Sequence, residues 1–476
     1  MNKNESKTKI LATLGPATAT KEKLCELIDA GIDGVRLNFS HGTKDDFAKI
    51  FSLIDDVCKL KSLPIAILQD LQGPKIRIGE LSEPEITVIS GDRIEITTEK
   101  IPGTKDIIST SYSELPKDAS VGNTILIDDG LIELKVIKKN KSSVICEIIE
   151  GGVLKPKKGM NLPGMRLSTP SVTPKDLENL EFALQYRVDY IALSFVRHED
   201  DILQLKNWLS ERGFKKPVIA KIEKAEAIDN FDGILEAADG IMVARGDLGV
   251  ELSPQAVPFI QKKIIRRCNE VGKLVITATQ MLESMIHNPV PTRAEASDVA
   301  NAVWDGTDVV MLSGETSVGK FPVDTVAIMN DILVSTESQQ EFNNDIRYEI
   351  PPDRIQNLFD ATGRAVVDIA DQILANIIVV FTHFGQKAKK IAKFRPQAAI
   401  VAISDSFDTM NTLNLHWGII PYFMKDIDDE NKIIDQAKEI LRKNNLVKKG
   451  DVVLFTAGAP SPDDGRTSWL RSAVIE

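Results

Sequence analysis

Lys221, Glu223 and Asp247 are the residues whose types and spacing most directly predict chemistry. Lys221 and Glu223 alternate within a short apolar run, and because strand side chains alternate between faces, both point to the same side. Asp247 ends the next apolar run and can supply a second carboxylate. Magnesium in proteins takes one or two carboxylates and leaves its other positions to water and substrate. The pattern therefore predicts a hard-cation site with an ammonium group beside it.

The residues around Asp247 also predict an anion site. The turn Gly246-Asp247-Leu248-Gly249 is expected to open a helix, whose first backbone N–H groups can bind a carboxylate. Other apolar runs end in polar groups too, namely Arg36 to His41, Asp70 followed by Lys75 and Arg77, Thr279, and Ser313. Each feature alone has an ordinary explanation, such as a surface salt bridge, a turn or a structural histidine. Their occurrence at the ends of successive runs favours a functional site.

Eight short apolar runs recur at intervals of one helix plus one strand. They cover residues 9–14, 34–39, 65–71, 190–196, 218–223, 240–245, 274–279 and 309–312. Segments with helical periodicity lie between most of them, for example at 21–30 and 175–185. Repeated βα units predict an α/β fold with a TIM (β/α)8 barrel, which collects catalytic groups at the C-terminal ends of its strands.

Two further regions interrupt or follow this pattern. Alternating strand patterns at 85–98, 124–138 and 143–149 predict an inserted small β-barrel domain, placed where it can act as a lid over the active site. After Pro351-Pro352, strands at 377–381, 399–403 and 452–456 predict a C-terminal α/β domain. The predicted boundaries are 1–77 and 165–345 for the barrel, 78–164 for the lid and 353–476 for the C-terminal domain.

Composition narrows the class of protein. The formal net charge is −11, from 58 Lys and Arg against 69 Asp and Glu, which argues against a nucleic-acid partner. The four cysteines form no CxxC pair, so neither a disulfide framework nor a zinc site is expected. No apolar run reaches membrane-spanning length, and the lysine-rich N-terminus lacks the apolar segment of a secretion signal. These features predict a cytoplasmic protein without a membrane partner.

Ordered motifs along essentially the whole chain resemble those of the pyruvate kinase family. They include Gly15-Pro16-Ala17, Arg36-Leu37-Asn38-Phe39-Ser40-His41-Gly42, Gly73-Pro74-Lys75-Ile76-Arg77, Lys221-Ile222-Glu223, Ala244-Arg245-Gly246-Asp247-Leu248-Gly249, Ala278-Thr279-Gln280 and Leu312-Ser313-Gly314-Glu315. The resemblance implies a phosphotransferase that moves the phosphoryl group of phosphoenolpyruvate onto ADP, giving pyruvate and ATP in the last step of glycolysis. It also implies the three-part fold predicted above, usually assembled as a homotetramer.

The resemblance further implies roles on the substrate side. Glu223 and Asp247 would hold Mg²⁺, for which Mn²⁺ can substitute. Thr279 and the N–H groups of Gly246 and Asp247 would bind the substrate carboxylate. The phosphoryl group would be neutralised by Lys221 and Arg36. The proton that the leaving enolate needs would arrive near Thr279 and Ser313, through water.

On the nucleotide side, the resemblance implies contacts from five residues and a second Mg²⁺ that arrives with ADP. The five residues are Pro16, Asn38, His41, Arg77 and Lys158. Asp128, on the inserted domain, would help to seal the closed site.

The third strand departs from the K⁺-dependent members of the family. Those read Asp-Thr-Lys-Gly-Pro-Glu, whereas this chain keeps Asn38, Ser40 and Asp70 but places Leu71 after the aspartate and Lys75 at the glutamate position. An ammonium about 5 Å from a bound K⁺, at an effective dielectric of about 20, would repel it by about 3 kcal/mol. We therefore expect that K⁺ is not required and that Lys75 supplies the charge, paired with Asp70. The alternative is that Lys75 turns to solvent and K⁺ still binds.

Regulation and rival functions stay open at this point. The segment from Thr382 to Lys387 lacks the hydroxyl-rich loop and arginine of regulated relatives, and Asp463 and Asp464 would repel a bisphosphate, so activation by fructose bisphosphate is not expected. A monophosphate effector remains open. A Mg²⁺-dependent lyase or aldolase would want the carboxylate pair but not Lys221 or a lid. A catalytically silent relative would not need all the principal positions filled.

Overall fold

The computed structural model describes residues 6–40, 42–339, 358–427, 430–458 and 467–476. His41, the Pro351-Pro352 boundary and the Asp463-Asp464 loop lie outside the described residues. None of the helices within the described ranges combines the length and apolar character needed to cross a bilayer.

Strands and helices alternate along most of the described chain. The strands are β1 (Lys9–Thr13), β2 (Gly34–Asn38), β3 (Ala66–Asp70), β4 (Ile86–Val88), β5 (Arg93–Thr97), β6 (Ile107–Ser109), β7 (Thr124–Ile127), β8 (Ile132–Lys139), β9 (Ser143–Glu150), β10 (Gly152–Leu154), β11 (Met160–Asn161), β12 (Tyr190–Leu193), β13 (Val218–Ile222), β14 (Gly240–Ala244), β15 (Leu274–Ala278), β16 (Val309–Leu312), β17 (Ile377–Phe381), β18 (Ala399–Ser404), β19 (Ile419–Phe423), β20 (Val452–Gly458) and β21 (Thr467–Val474).

Helices lie around the barrel and on both faces of the C-terminal sheet, and one short helix belongs to the inserted segment. They are α1 (Lys21–Ala30), α2 (Lys44–Lys61), α3 (Leu115–Asp118), α4 (Pro174–Ala183), α5 (Glu199–Glu211), α6 (Ala225–Asp229), α7 (Phe231–Ala237), α8 (Arg245–Glu251), α9 (Val257–Val271), α10 (Arg293–Trp304), α11 (Gly314–Ser317), α12 (Pro322–Glu337), α13 (Leu358–Gln372), α14 (Gln386–Lys393), α15 (Phe407–Leu413) and α16 (Glu430–Lys443), with a 3-10 helix at Glu283–Ile286.

Eight parallel strands form a closed barrel in the order β1-β16-β15-β14-β13-β12-β3-β2, so the predicted TIM barrel is confirmed. All eight predicted runs contain one of these strands.

Local sequence determines where the outer helices begin. Threonine caps α1, α2, α4 and α10 by accepting a hydrogen bond from a backbone N–H in the first turn. Gly31 ends α1 at φ 115°, a left-handed conformation that glycine adopts without strain.

The barrel interior is apolar below its mouth and charged at its mouth. Leu68, Tyr190 and Ile219 belong to a fully buried cluster between the strands. Two and four residues beyond Ile219, the alternation of β13 brings Lys221 and Glu223 to the same side at the C-terminal end. The alternation of β13 therefore places Ile219 in the buried core and Lys221 and Glu223 in the charged site, within five residues of sequence.

The inserted segment forms a six-stranded sheet in the order β11-β7-β8-β9-β5-β6 and a two-stranded sheet of β10 and β4. These strands share one hydrophobic core, which is separate from the cores of the barrel. The chain enters and leaves side by side, because Arg77 pairs with Gly159 in an antiparallel bridge and Ile78 N donates to Lys158 O at 3.0 Å. The insertion is therefore joined to the barrel by two adjacent segments.

The C-terminal region is a five-stranded sheet in the order β19-β18-β17-β20-β21, of which β21 is antiparallel. Hydrophobic clusters cover both faces of the sheet. Leu415, which follows α15, is fully buried in the interior cluster of the barrel, at the end opposite the charged mouth. Arg395 reinforces this contact by donating to Asp308 Oδ1 at 2.7 Å. The C-terminal region thus covers the end of the barrel opposite the charged mouth.

Candidate active site

Four charged side chains from three strands form a connected group at the barrel mouth. Arg36 on β2 donates through Nε to Asp70 Oδ2 at 2.7 Å. Lys221 Nζ lies 3.3 Å from Asp70 Oδ1 and 2.9 Å from Glu223 Oε1. All four side chains are at most 11% exposed. The structure therefore brings together the two cations and the Glu223 carboxylate that the sequence predicted.

The ionisation of this group follows from burial and mutual attraction. Burial alone would lower the pKa of Lys221, but the Asp70 and Glu223 carboxylates outweigh it and raise the pKa above the ordinary lysine value. Burial opposes ionisation of Asp70 as well, yet Lys221 and Arg36 hold the pKa of Asp70 below its ordinary value. Two positive charges therefore persist in a buried cleft, where an anionic group can be stabilised.

Glu223 and Asp247 fit a divalent cation. Burial raises the pKa of Glu223, Lys221 partly offsets this, and the negative charge of Asp247 raises the pKa further. The two carboxylates are therefore close enough to repel each other, and a cation between them would relieve that repulsion. No cluster of three or more His, Cys, Asp or Glu side chains suited to a metal occurs within the described ranges. A two-carboxylate site suits Mg²⁺, whose remaining ligands are water and substrate.

The neighbouring strand ends place Thr279 against Gly246. Gly246 N donates to Thr279 Oγ1 at 2.8 Å. Thr279 has φ 69°, a strained conformation for a β-branched residue, and Arg245 holds it by donating through Nη2 to Thr279 O at 2.7 Å. Ser313 Oγ is buried and makes no hydrogen bond within the described part of the chain. A buried hydroxyl without a partner is available to a water or substrate.

The sequence interpretation missed two residues that follow β12. Ser194 Oγ accepts a hydrogen bond from Lys221 Nζ at 2.7 Å and donates to Leu71 O at 2.8 Å. Phe195 N donates to Glu223 Oε2 at 2.8 Å. The available signal was positional, because β12 was a predicted strand to whose end no chemistry had been assigned.

The residues of the monovalent-cation pocket only partly meet the prediction. Asn38 Oδ1 accepts from Ser40 N at 3.1 Å, and the buried Leu71 directly follows Asp70. The expected pairing of Lys75 with Asp70 is wrong. Lys75 is exposed, because the chain turns away at Gly73 (φ 66°) and Pro74, while Arg36 and Lys221 already occupy both oxygens of Asp70.

A cleft between the inserted region and the barrel mouth is lined by both. Its cationic side chains are Lys75, Arg77, Lys158, Arg197 and Lys224, and Asp247 lies on its barrel side. Lys158 Nζ pairs with Asp128 Oδ1 at 2.9 Å, and both residues lie on the side of the cleft that the inserted region forms. Arg77 and Lys158 therefore lie where an anionic ligand would enter. Pro16 is exposed after β1 and, like Asn38, is not among the residues that line this cleft.

A TIM barrel with buried charged groups at its mouth is the architecture of an enzyme whose site suits an anionic substrate. Comparison with known proteins identifies which one. The model of the pyruvate kinase barrel domain matches residues 5–326, and that of the pyruvate kinase alpha/beta domain matches residues 360–471.

Individual relatives agree with the family models. Pyruvate kinases from Staphylococcus aureus strains MRSA252 and NCTC 8325 are each 42% identical over 475 residues, covering 98% of this chain and 80% of theirs. A crystal structure of a pyruvate kinase from Cryptosporidium parvum has 35% identity and a TM-score of 0.92, covering 99% of this chain and 96% of that one. The chain belongs to the pyruvate kinase family, as its motifs predicted. It is a phosphotransferase whose family acts on phosphoenolpyruvate and ADP and uses a divalent metal ion.

Proposed function

We propose that Glu223 and Asp247 hold Mg²⁺, or Mn²⁺ in its place, while phosphoenolpyruvate transfers its phosphoryl group to ADP. The observation that carries this assignment is the buried group of Lys221, Arg36 and Glu223, with Asp247 close enough to raise the pKa of Glu223. The bound cation would supply charge stabilisation to the phosphate and to the enolate oxygen that leaves. Residues of this chain would bind the substrate carboxylate, stabilise the phosphoryl group and position the proton donor.

Lys221 and Arg36 would stabilise the phosphoryl group during transfer. Phosphoryl transfer needs mainly positioning and fixed positive charge, because negative charge spreads over the transferred oxygens. Both cations are held in place by Asp70, so little reorganisation is needed when the substrate binds. Both side chains are therefore assigned to the transfer step.

Thr279, Gly246 and Asp247 would bind the substrate carboxylate. The Gly246 N–H that now donates to Thr279 Oγ1 would donate to the carboxylate instead. The orphan hydroxyl of Ser313 lies at the next strand end and would order the water that protonates the enolate carbon, beside Thr279. That water would also give the buried Ser313 hydroxyl the hydrogen-bond partner that it lacks among the described residues.

Nucleotide binding is assigned to Arg77 and Lys158 in the cleft, with Pro16, Asn38 and His41 on the barrel side and a second Mg²⁺ bound with ADP. Residues 78–164 would act as a lid, joined to barrel segments 1–77 and 165–345, with 353–476 as the C-terminal domain. Asp128, which lines the cleft and pairs with Lys158, would help to seal the closed site. Closure would exclude water, which otherwise competes with ADP for the phosphoryl group.

We also propose that the enzyme works without K⁺. The support is the lysine at position 75, whose exposed ammonium lines the cleft and can turn toward a bound phosphate. Asn38, Ser40, Asp70 and Leu71 would then remain as a pocket that needs no cation. A cytoplasmic homotetramer is proposed from membership of the family.

A coupled assay tests the assignment directly. Purified protein is supplied with phosphoenolpyruvate, ADP and Mg²⁺, and pyruvate is measured through lactate dehydrogenase. We expect pyruvate to form only when ADP and the divalent cation are both present, and Glu223→Gln to raise the Mg²⁺ concentration required. Pyruvate formation without ADP would instead indicate a lyase or phosphatase, and an unchanged Mg²⁺ requirement in Glu223→Gln would place the metal elsewhere.

A further inference from the structure

Lys224 and Glu251 form a buried ion pair beside the two carboxylates of the active site. Lys224 is 8% exposed and Glu251 is 7% exposed. An ion pair at this depth loses the hydration of both charges, so it is not a strong source of stability. The position of the pair, next to Glu223 and on the helix of Asp247, indicates a role in the site.

The pair connects the two chain segments that carry the proposed metal ligands. Lys224 directly follows Glu223 at the end of β13. Glu251 is the last residue of α8, and Asp247 lies in the first turn of that helix. Because a single turn of rigid helix separates Asp247 from Glu251, the ion pair restricts the distance between Glu223 and Asp247.

Lys224 has a second contact that leads to Glu223. Its ammonium lies 5.9 Å from the centre of the Phe195 ring, within the range of a cation–π interaction. Phe195 N donates to Glu223 Oε2 at 2.8 Å, and Phe195 has φ 55°, a conformation that needs support from its surroundings. The Lys224 ammonium therefore contacts Phe195, which hydrogen-bonds to Glu223, and Glu251, which ends the helix that carries Asp247.

We propose that Lys224 and Glu251 are positioning residues that fix the separation of Glu223 and Asp247 for the divalent cation. The inference rests on the proposed metal site. Lys224 also neutralises Glu251, so this third carboxylate is kept from joining the ligand set. Groups that orient metal ligands affect metal binding strongly, and changing one typically weakens it by about 10–100-fold.

The test is Mn²⁺ binding to the purified protein without substrates, measured by electron paramagnetic resonance of the free ion. Lys224→Met is expected to weaken Mn²⁺ binding about 10-fold or more. Glu251→Leu should weaken it as well, and the double variant should be no weaker than the worse single variant, because the two residues act as one unit. Additive losses, or single variants that bind Mn²⁺ within about twofold of the parent, would overturn the inference.

Two control variants separate the possible failures. Lys393→Met removes another buried lysine–carboxylate pair, with Asp360 in the C-terminal domain. This variant should leave the dissociation constant for Mn²⁺ unchanged. A loss of binding in Lys393→Met equal to that in Lys224→Met would mean that general destabilisation is responsible, which contradicts the inference. Glu223→Gln should abolish most of the binding. If it does not, the proposed metal site is wrong; if it does and Lys224→Met has no effect, only the positioning role is wrong.

Discussion

Lys221 Nζ donates to Ser194 Oγ at 2.7 Å, so the ammonium at the barrel mouth is held by a neutral acceptor as well as by Asp70 and Glu223. Three acceptors at the C-terminal ends of three different strands fix one cation in position. A fixed charge stabilises a transition state more effectively than a mobile one, because it need not reorient during the reaction.

Replacing Lys221 should therefore affect the chemical step more than substrate binding. In Lys221→Met we expect kcat to fall by about 100-fold or more, since one electrostatic donor to the transferred group is lost. Phosphoenolpyruvate binding, measured by quenching of intrinsic fluorescence or by calorimetry, should change little, because Arg36 and the divalent cation remain. A large loss of binding with an unchanged kcat would assign Lys221 to ground-state recognition. Thermal unfolding of the variant shows whether Asp70 and Glu223, left without Lys221, destabilise the fold.

Deletion of residues 79–162 should leave a folded barrel with little activity. The inserted region has its own hydrophobic core, and the two connecting segments are adjacent at the Arg77–Gly159 bridge, so a short Gly-Ser linker can join them. We expect cooperative unfolding and an activity at least about 100-fold below that of the parent, because water enters the open site. The point variant Lys158→Met serves as the control for the one cleft lysine that the deletion removes. A deletion variant with activity equal to that of Lys158→Met would show that closure is unnecessary.

K⁺ should have little effect on the rate. In tetramethylammonium buffer at constant ionic strength, with K⁺-independent coupling enzymes, added KCl should change kcat by less than about twofold. This expectation rests on the positive charge of Lys75, whose exposed side chain lines the cleft and can turn toward a bound phosphate. In Lys75→Glu we expect activity to fall and K⁺ to restore part of it. Activation of the parent enzyme by an order of magnitude would show that Lys75 leaves the cation pocket functional.

Lys387 predicts a pH-dependent stability in the C-terminal domain. Burial lowers the pKa of Lys387 to about 7, and its ammonium donates to Thr456 Oγ1 at 2.6 Å without an acidic partner in the hydrogen bonds and ion pairs of the described residues. Between pH 7 and the ordinary lysine value of 10.5, the unfolded state binds the proton more tightly, so stability rises with pH by at most about 1.4 kcal/mol per unit.

Lys387→Met removes this dependence. Relative to the parent, Lys387→Met should be more stable at pH 7 than at pH 9.5, as measured by its free energy of unfolding in urea. The exposed Lys448→Met is the control and should show the same difference from the parent at both values. Equal differences for Lys387→Met at the two pH values would contradict the lowered pKa.

Strand periodicity predicted much of this architecture because each barrel strand is short, apolar and bounded by turn residues. The same periodicity placed Lys221, Glu223 and Arg36 at one end of the barrel, where the structure finds them. The roles of Ser194 and Phe195 could not be predicted, because their contacts depend on the neighbouring strand's register and on the positive φ of Phe195. The pairing of Lys75 with Asp70 was wrong for a related reason. Sequence proximity favoured it, whereas Arg36 and Lys221, distant in sequence, reach Asp70 from neighbouring strands.

The most direct test of the central claim follows the phosphoryl group itself. Phosphorus-31 NMR of the purified protein with phosphoenolpyruvate, ADP and Mg²⁺ distinguishes transfer from hydrolysis, since the products have separate resonances. We predict that the phosphoenolpyruvate signal is replaced by the signals of ATP, with little inorganic phosphate, and that Lys221→Met slows this exchange. Accumulation of inorganic phosphate in place of ATP, or a phosphoenolpyruvate signal that persists with folded protein, would contradict the account.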